Sequence, residues 1–255
     1  MDYNFHAHTY LCHHASGTPE EFVLKAIEGN IKYYGFSEHA PFLFPDGYQS
    51  HYRLFLEDLD EYKETVFRLR EKYKDQIEIF YGFEMEYYPA HFEKMLKTVK
   101  DADAEYLILG QHFLYNEHPD GFNAFRKVDK KEDFEHFTEC VLSGIKSGVF
   151  TYVAHPDTID FDDYDVYKTQ VEKICKASKE YDVPLEINFQ GISLGRDYPK
   201  EKFWEIAGKI GCPVTFGFDA HHTSAACDLE SLPKAMEIVK KYNLNYIGKP
   251  KLKKL

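Results

Sequence analysis

The chain has 255 residues, 44% of them hydrophobic, and a formal charge of −12 from 31 Lys plus Arg against 43 Asp plus Glu. That length suits one α/β barrel, so residues 1–255 are expected to form a single domain. The negative balance argues against a broad nucleic-acid surface, yet it leaves room for a small anionic substrate wherever bound metal ions dominate the local charge.

In chain order, residues 3–5 are the first strand candidate. Thr18-Pro19-Glu20-Glu21 then reads as an N-cap, a proline at the first helical position and a capping-box glutamate, with Gly29 placed to end the helix. A second strand is expected at 33–37. Leu59, Tyr62, Val66, Leu69 and Tyr73 then recur at helical steps of three and four. Strands at 77–83 and 106–109 precede a helix marked by Phe134, Phe137, Val141 and Ile145. The pattern continues with a strand at 150–154, a helix over 166–181, a strand at 184–187, a helix after Pro199 and a seventh strand at 213–218. A last helix runs through Leu232, Met236 and Val239, and the basic tail 251–255 reads as a solvated end. This alternation points to βα units around a parallel sheet. An open doubly wound sheet fits it too, but no GxGxxG follows the first strand.

Nothing approaches the roughly 18 apolar residues needed to span a bilayer. The start, Met1 to His6, is not patterned as a signal peptide, so a cytoplasmic location is expected. The five cysteines (Cys12, Cys140, Cys175, Cys212 and Cys227) are odd in number and form no CxxC pair, which signals neither a disulfide framework nor a thiolate zinc site. They read as small buried hydrophobes, although Cys12 lies among histidines.

The reactive residues favour a barrel. The first strand ends in His6-Ala7-His8, whose imidazoles point to one side because a strand repeats every two residues. The second leads into Ser37-Glu38-His39, the third into Gly82-Phe83-Glu84, the fourth into Gly110-Gln111-His112 and the fifth into His155-Pro156-Asp157. The seventh ends Asp219-Ala220-His221, and His13-His14 follow the first strand. In a parallel barrel such ends converge on one face, where active sites form. A shared metal site of the Zn, Mn or Fe type fits imidazole with carboxylate, whereas Ca²⁺ prefers all-oxygen ligation. His51, His91, His118 and His136 read as ordinary residues. His13 and His222 read as neighbours of ligands or as substrate-facing.

These motifs, in this order, resemble the PHP (polymerase and histidinol phosphatase) family from end to end. The resemblance implies a distorted (β/α)7 TIM-like barrel with a trinuclear centre. One ion would take His6, His8, Glu84 and Asp219. A second would share Glu84 and add His112 and His155, and a third would take His14, His39 and His221. Glu86 points the same way as Glu84, which is preferred because it follows Gly82-Phe83. Within the family, residues 8–17 (HTYLCHHASG) resemble the stand-alone histidinol-phosphate phosphatases. That implies hydrolysis of L-histidinol phosphate to L-histidinol and phosphate in histidine biosynthesis. Neither a nucleic acid, a membrane nor an obligatory protein partner is implied.

The expected chemistry is in-line attack on phosphorus by a hydroxide bridging two metals, with Asp219 accepting a proton. His14, Asp157 and His222 are the candidates for the general acid, and a metal-bound water would also serve. Arg196, in the loop 195–199, suits a bidentate phosphate contact, against the plainer reading of a surface arginine. Two rivals remain. A phosphodiesterase or nuclease on small nucleotides would use the same ligands, but the chain has no basic, aromatic-interleaved stretch. A non-catalytic metal-binding module needs about four ligands, fewer than this pattern offers.

Overall fold

A computed structural model describes residues 1–118 and 121–255. Its sheet is made of β1 (Tyr3–Asn4), β2 (Tyr33–His39), β3 (Glu78–Met85), β4 (Tyr106–Leu109), β5 (Phe150–Val153), β6 (Leu185–Asn188), β7 (Pro213–Gly217) and β8 (Asn245–Tyr246). The strands lie in sequence order and every neighbouring pair is parallel. The helices are α1 (Pro19–Glu28), α2 (Leu59–Tyr73), α3 (Phe92–Asp101), α4 (Lys131–Ser147), α5 (Tyr164–Tyr181), α6 (Phe189–Ser193), α7 (Glu201–Ile210) and α8 (Leu232–Lys241).

All seven expected strands form, and β8 is an addition. It is two residues long and pairs Asn245 with Pro213 and Tyr246 with Val214, too short a run to show a period. The helices α3 and α6 are also additions. Thr18 caps α1 as expected: its side chain accepts from Glu21 N, and the Glu21 carboxylate returns to the Thr18 backbone.

The barrel is distorted where its ends meet. Near the base, side chains join β1 to β7 in place of a backbone ladder. Asn4 Oδ1 accepts from Phe218 N at 2.9 Å, and the Tyr3 hydroxyl accepts from Phe216 N at 3.4 Å. Higher up, a parallel bridge forms between Ala7 and Ala220, with His8 N donating to Ala220 O at 2.9 Å and Ala220 N to His6 O at 3.2 Å.

Tyr3, Phe5, Tyr106, Ile108, Tyr152 and Ala154 form a buried cluster distinct from the main core. The large apolar side chains among them contribute about 1.5–3 kcal/mol each by burial. Leu252 packs against this cluster, and Lys253 N donates to Thr151 Oγ1 at 3.2 Å. The tail is therefore docked rather than a solvated end, because its leucine finds an apolar seat.

Candidate metal centre

The strand ends bring the expected ligands together. β1 runs into His6 and His8, both fully buried, and β7 runs into Asp219 and His221. Glu84, on β3, sits in register with His39 on β2. His112 and His155 follow β4 and β5. His155 and Asp219 have φ values of 31° and 52°, so both adopt the left-handed region just past a strand. His and Asp enter that region more readily than most side chains, and such strain gathers at functional sites.

Glu84 lies at the middle. Its Oε1 is 2.9 Å from His155 Nε2, 3.3 Å from His112 Nε2 and 3.5 Å from His6 Nε2. Its Oε2 is 3.3 Å from His39 Nδ1 and 3.4 Å from His8 Nε2. Asp219 Oδ1 stands 3.5 Å from His6 Nε2, 3.4 Å from His8 Nε2 and 3.2 Å from His221 Nδ1. His14 completes the arc with its Nε2 3.1 Å from His221 Nε2. Two glycines make room for this crowd. A Cβ at Gly110 would lie 2.0 Å from Glu84 Oε1, and one at Gly217 would lie 1.8 Å from Glu186 Oε1.

The donor set fits metal ions. Among the described residues, His6 Nε2, His8 Nδ1 and Nε2, and Glu84 Oε2 are buried with no hydrogen-bond partner. Buried polar atoms are rarely left so, and an ion would satisfy the nitrogens and carboxylate oxygens together. The ligand atoms of His6–His8–Glu84, His6–His155–Asp219, His39–Glu84–His112 and His8–His39–His221 lie within 4.8 Å of one another in each group. Cys12 forms such a group with His14 and His221. The groups overlap, so the ligands form one continuous cluster. Imidazole with carboxylate suits Zn, Mn or Fe.

A second layer of groups aims the imidazoles. His6 Nδ1 is 2.8 Å from Glu186 Oε1, His112 Nδ1 is 2.7 Å from Glu86 Oε1, and His14 Nδ1 is 2.7 Å from the Cys12 carbonyl. With Nδ1 engaged outward, Nε2 is the nitrogen that each ring turns toward the centre. Glu38 lies 3.5 Å from His8 Nδ1 and accepts from Thr9 N and His39 N. Glu86 is thereby separated from Glu84: one oxygen meets His112 and the other meets Arg53. Sequence reasoning gave no role to Glu186, Glu38 or Arg53. The available clue was a charged residue inside an apolar strand, as in Leu-Glu-Ile-Asn of β6.

The charges follow from this layout. Burial alone would raise Glu84, but His112 and His6 outweigh it and hold its carboxyl well below the usual range. Asp219 is likewise held low against burial, by His6, His221 and His8. Burial and the neighbouring His8 push His39 and His221 down, while burial, His221 and His8 push His14 down to about 4. These rings are neutral and ready to ligate. Burial opposes charge on His6, His8 and His112 too, yet the carboxylates around them prevail and raise all three, His112 to about 10.

A cavity of about 730 Å³ opens above the cluster, and His14, His222, Arg196 and Tyr52 are part of its lining. Arg196 and His222 thus both border the space above the cluster. Asp157 does not line this cavity. Its Oδ2 accepts from Lys200 N at 2.7 Å and from Trp204 Nε1 at 2.8 Å, which ties the loop after β5 to α7. His13 packs on Phe55, with ring centroids 4.3 Å apart.

A family model described as the PHP domain matches residues 4–190. The chain belongs to that family. The chain is similar to a probable histidinol-phosphatase of Deinococcus radiodurans, 24% identical over 225 residues that cover 85% of each chain. A histidinol-phosphatase of Lactococcus lactis is 26% identical over 259 residues, covering 94% of this chain and 90% of that one. Among solved structures, the Lactococcus lactis histidinol phosphate phosphatase complexed with zinc, L-histidinol and phosphate superposes with a TM-score of 0.73 at 20% identity, over 96% of this chain and 95% of that chain. That likeness gives the PHP fold, a distorted α/β barrel.

Proposed function

We propose that this protein is a phosphomonoesterase, that L-histidinol phosphate is its substrate, and that about three divalent transition-metal ions are its cofactors. The observation that carries the reading is Glu84, set 2.9–3.5 Å from nitrogens of five histidines below a cavity that Arg196 also lines. The names and ligands of the Lactococcus proteins support the choice of substrate. Residues 1–255 act as one domain in this reading. The partner is a small phosphorylated metabolite rather than a nucleic acid, in keeping with the charge of −12. Five free cysteines suit a reducing compartment, and we place the enzyme in the cytoplasm.

His6, His8, Glu84 and Asp219 would hold one ion, Glu84, His112 and His155 a second, and His14, His39 and His221 a third. Ions so held would lower the pKa of water and offset negative charge on the phosphoryl oxygens. Arg196 forks onto two phosphate oxygens and orients the ester. Asp219 Oδ2 is held by Asn188 Nδ2 at 3.1 Å, which fixes the carboxylate that accepts the proton of the attacking water. His222 has its Nδ1 2.8 Å from Ser16 Oγ and lines the cavity, so its Nε2 protonates the leaving alkoxide. His14 is committed to metal and Asp157 to Lys200 and Trp204, so neither serves as the acid.

The test is phosphate release from L-histidinol phosphate by the metal-loaded protein, beside p-nitrophenyl phosphate, a phosphate bis-ester and a short oligonucleotide. A kcat/KM for histidinol phosphate higher by orders of magnitude is expected. Equal, slow turnover of all monoesters refutes the substrate, and faster cleavage of the diester refutes the monoesterase.

A further inference from the structure

Arg53 lies in the segment between β2 and α2, yet it is only 2% exposed. Its Nη1 is 2.8 Å from Glu86 Oε2 and donates to Ala40 O at 3.2 Å. Its Nε donates to Glu117 Oε2, its Nη2 lies 3.4 Å from the Tyr88 hydroxyl, and Glu117 also takes the Ser50 hydroxyl. The other oxygen of Glu86 is the one 2.7 Å from His112 Nδ1.

From this chain of contacts we infer that Arg53 is a positioning residue for the metal ligand His112. The inference rests on the reading of the site as a metal centre. Arg53 fixes Glu86, and Glu86 keeps the His112 proton on Nδ1. Nε2 is then the nitrogen turned toward Glu84 Oε1, at 3.3 Å, and the one that would meet an ion. Through Glu117, five residues beyond His112, the same guanidinium grips the segment that carries the ring. One cation thus sets both the rotation of the imidazole and the place of its backbone.

Stability alone does not account for the arrangement, because buried ion groups often contribute no more than well-packed apolar replacements. Arg53 also borders the cavity. However, all three of its nitrogens are engaged inward, which anchors it rather than freeing it for phosphate. The planar fork matters here, since lysine offers a point charge that cannot meet two carboxylates in one plane.

The test uses the full chain, stripped of metal and titrated with Zn²⁺, in wild type, Arg53→Lys, Glu86→Gln and the double variant. Glu86→Gln keeps an acceptor for His112 Nδ1 but turns an amide toward the guanidinium. Each single variant should weaken one metal equivalent by about 10–100-fold, the scale for lost outer-shell partners, and leave the other equivalents unchanged. The double variant should be no weaker than the worse single one. Imidazole ¹⁵N spectra at one added equivalent should show the His112 signals exchanging in the variants and fixed in wild type. KM for p-nitrophenyl phosphate in excess Zn²⁺ should match wild type.

A raised KM with an unchanged titration and unchanged spectra overturns the inference and makes Arg53 a substrate contact. A lowered Tm with wild-type titration and spectra also overturns it, leaving a structural role alone. Additive effects in the double variant break the proposed chain through Glu86. Wild-type protein that takes up no Zn²⁺ instead overturns the metal-centre reading itself.

Discussion

Gly110→Ala removes no ligand, and it should still empty much of the centre. The new Cβ would lie 2.0 Å from Glu84 Oε1, 2.5 Å from its Cδ and 2.7 Å from its Cγ. A carbon–oxygen contact needs about 3.3 Å, so the carboxylate must retreat by about 1.3 Å. Metal–ligand distances hold to within about 0.2 Å, so Glu84 would cease to ligate either of its two ions. Overpacking of this kind also costs about 1–3 kcal/mol, or roughly 2–12 °C in Tm for a chain of this size. The assay is metal content by mass spectrometry after dialysis, together with kcat and thermal unfolding. Gly144→Ala is the control, because its Cβ would meet Leu109 Cδ2 at 2.5 Å and touch no ligand. It should lower Tm and keep its metal. Full metal content and wild-type kcat in Gly110→Ala would refute the central place given to Glu84.

Three further outcomes are expected. Arg196→Ala should raise KM by about 10–150-fold, the equivalent of a charge-assisted hydrogen bond of about 1.5–3 kcal/mol, with metal content intact; unchanged kinetics would remove its phosphate role. Zinc uptake by the metal-free protein at neutral pH should release protons from His6, held well above its ordinary value by Glu186, Asp219 and Glu84, and from His112, pushed up to about 10, and affinity should climb as pH rises toward about 10. Calorimetry in buffers of differing ionisation heat counts those protons, and zero release contradicts the charge pattern. Asp157→Ala should lower stability by about 1–3 kcal/mol for each buried donor it leaves unpaired, Lys200 N and Trp204 Nε1. Its pH–kcat profile should match wild type, and loss of the alkaline limb would restore Asp157 as the acid.

What was legible in the sequence is what a strand imposes locally. His6-Ala7-His8 and Asp219-Ala220-His221 could be read as inward pairs because a strand repeats every two residues, and Thr18 announced α1 through its own neighbours. Roles that depend on distant partners were not legible. Arg53 meets Glu86 and Glu117 only after β2, β3 and the segment beyond β4 assemble. The partners of Asp157 were not legible for a related reason. The φ of 31° at His155 turns the chain, and the carboxylate two residues on reaches α7 instead of the cavity. Tail residue Leu252 misled in the same way, since KLKKL gives no hint of an apolar seat at the barrel base.

The bridge between Ala7 and Ala220 gives the centre a second meaning. It is a clasp between the first and last thirds of the chain, more than 200 residues apart, and its alanines are the middle residues of the two ligand pairs. Like the hoop on a cask, bound ions would hold together two staves joined at isolated bridges in place of a continuous backbone ladder. Removing them should let the amides of His8 and Ala220 exchange with solvent well before those of β2 and β3, which are paired at seven positions.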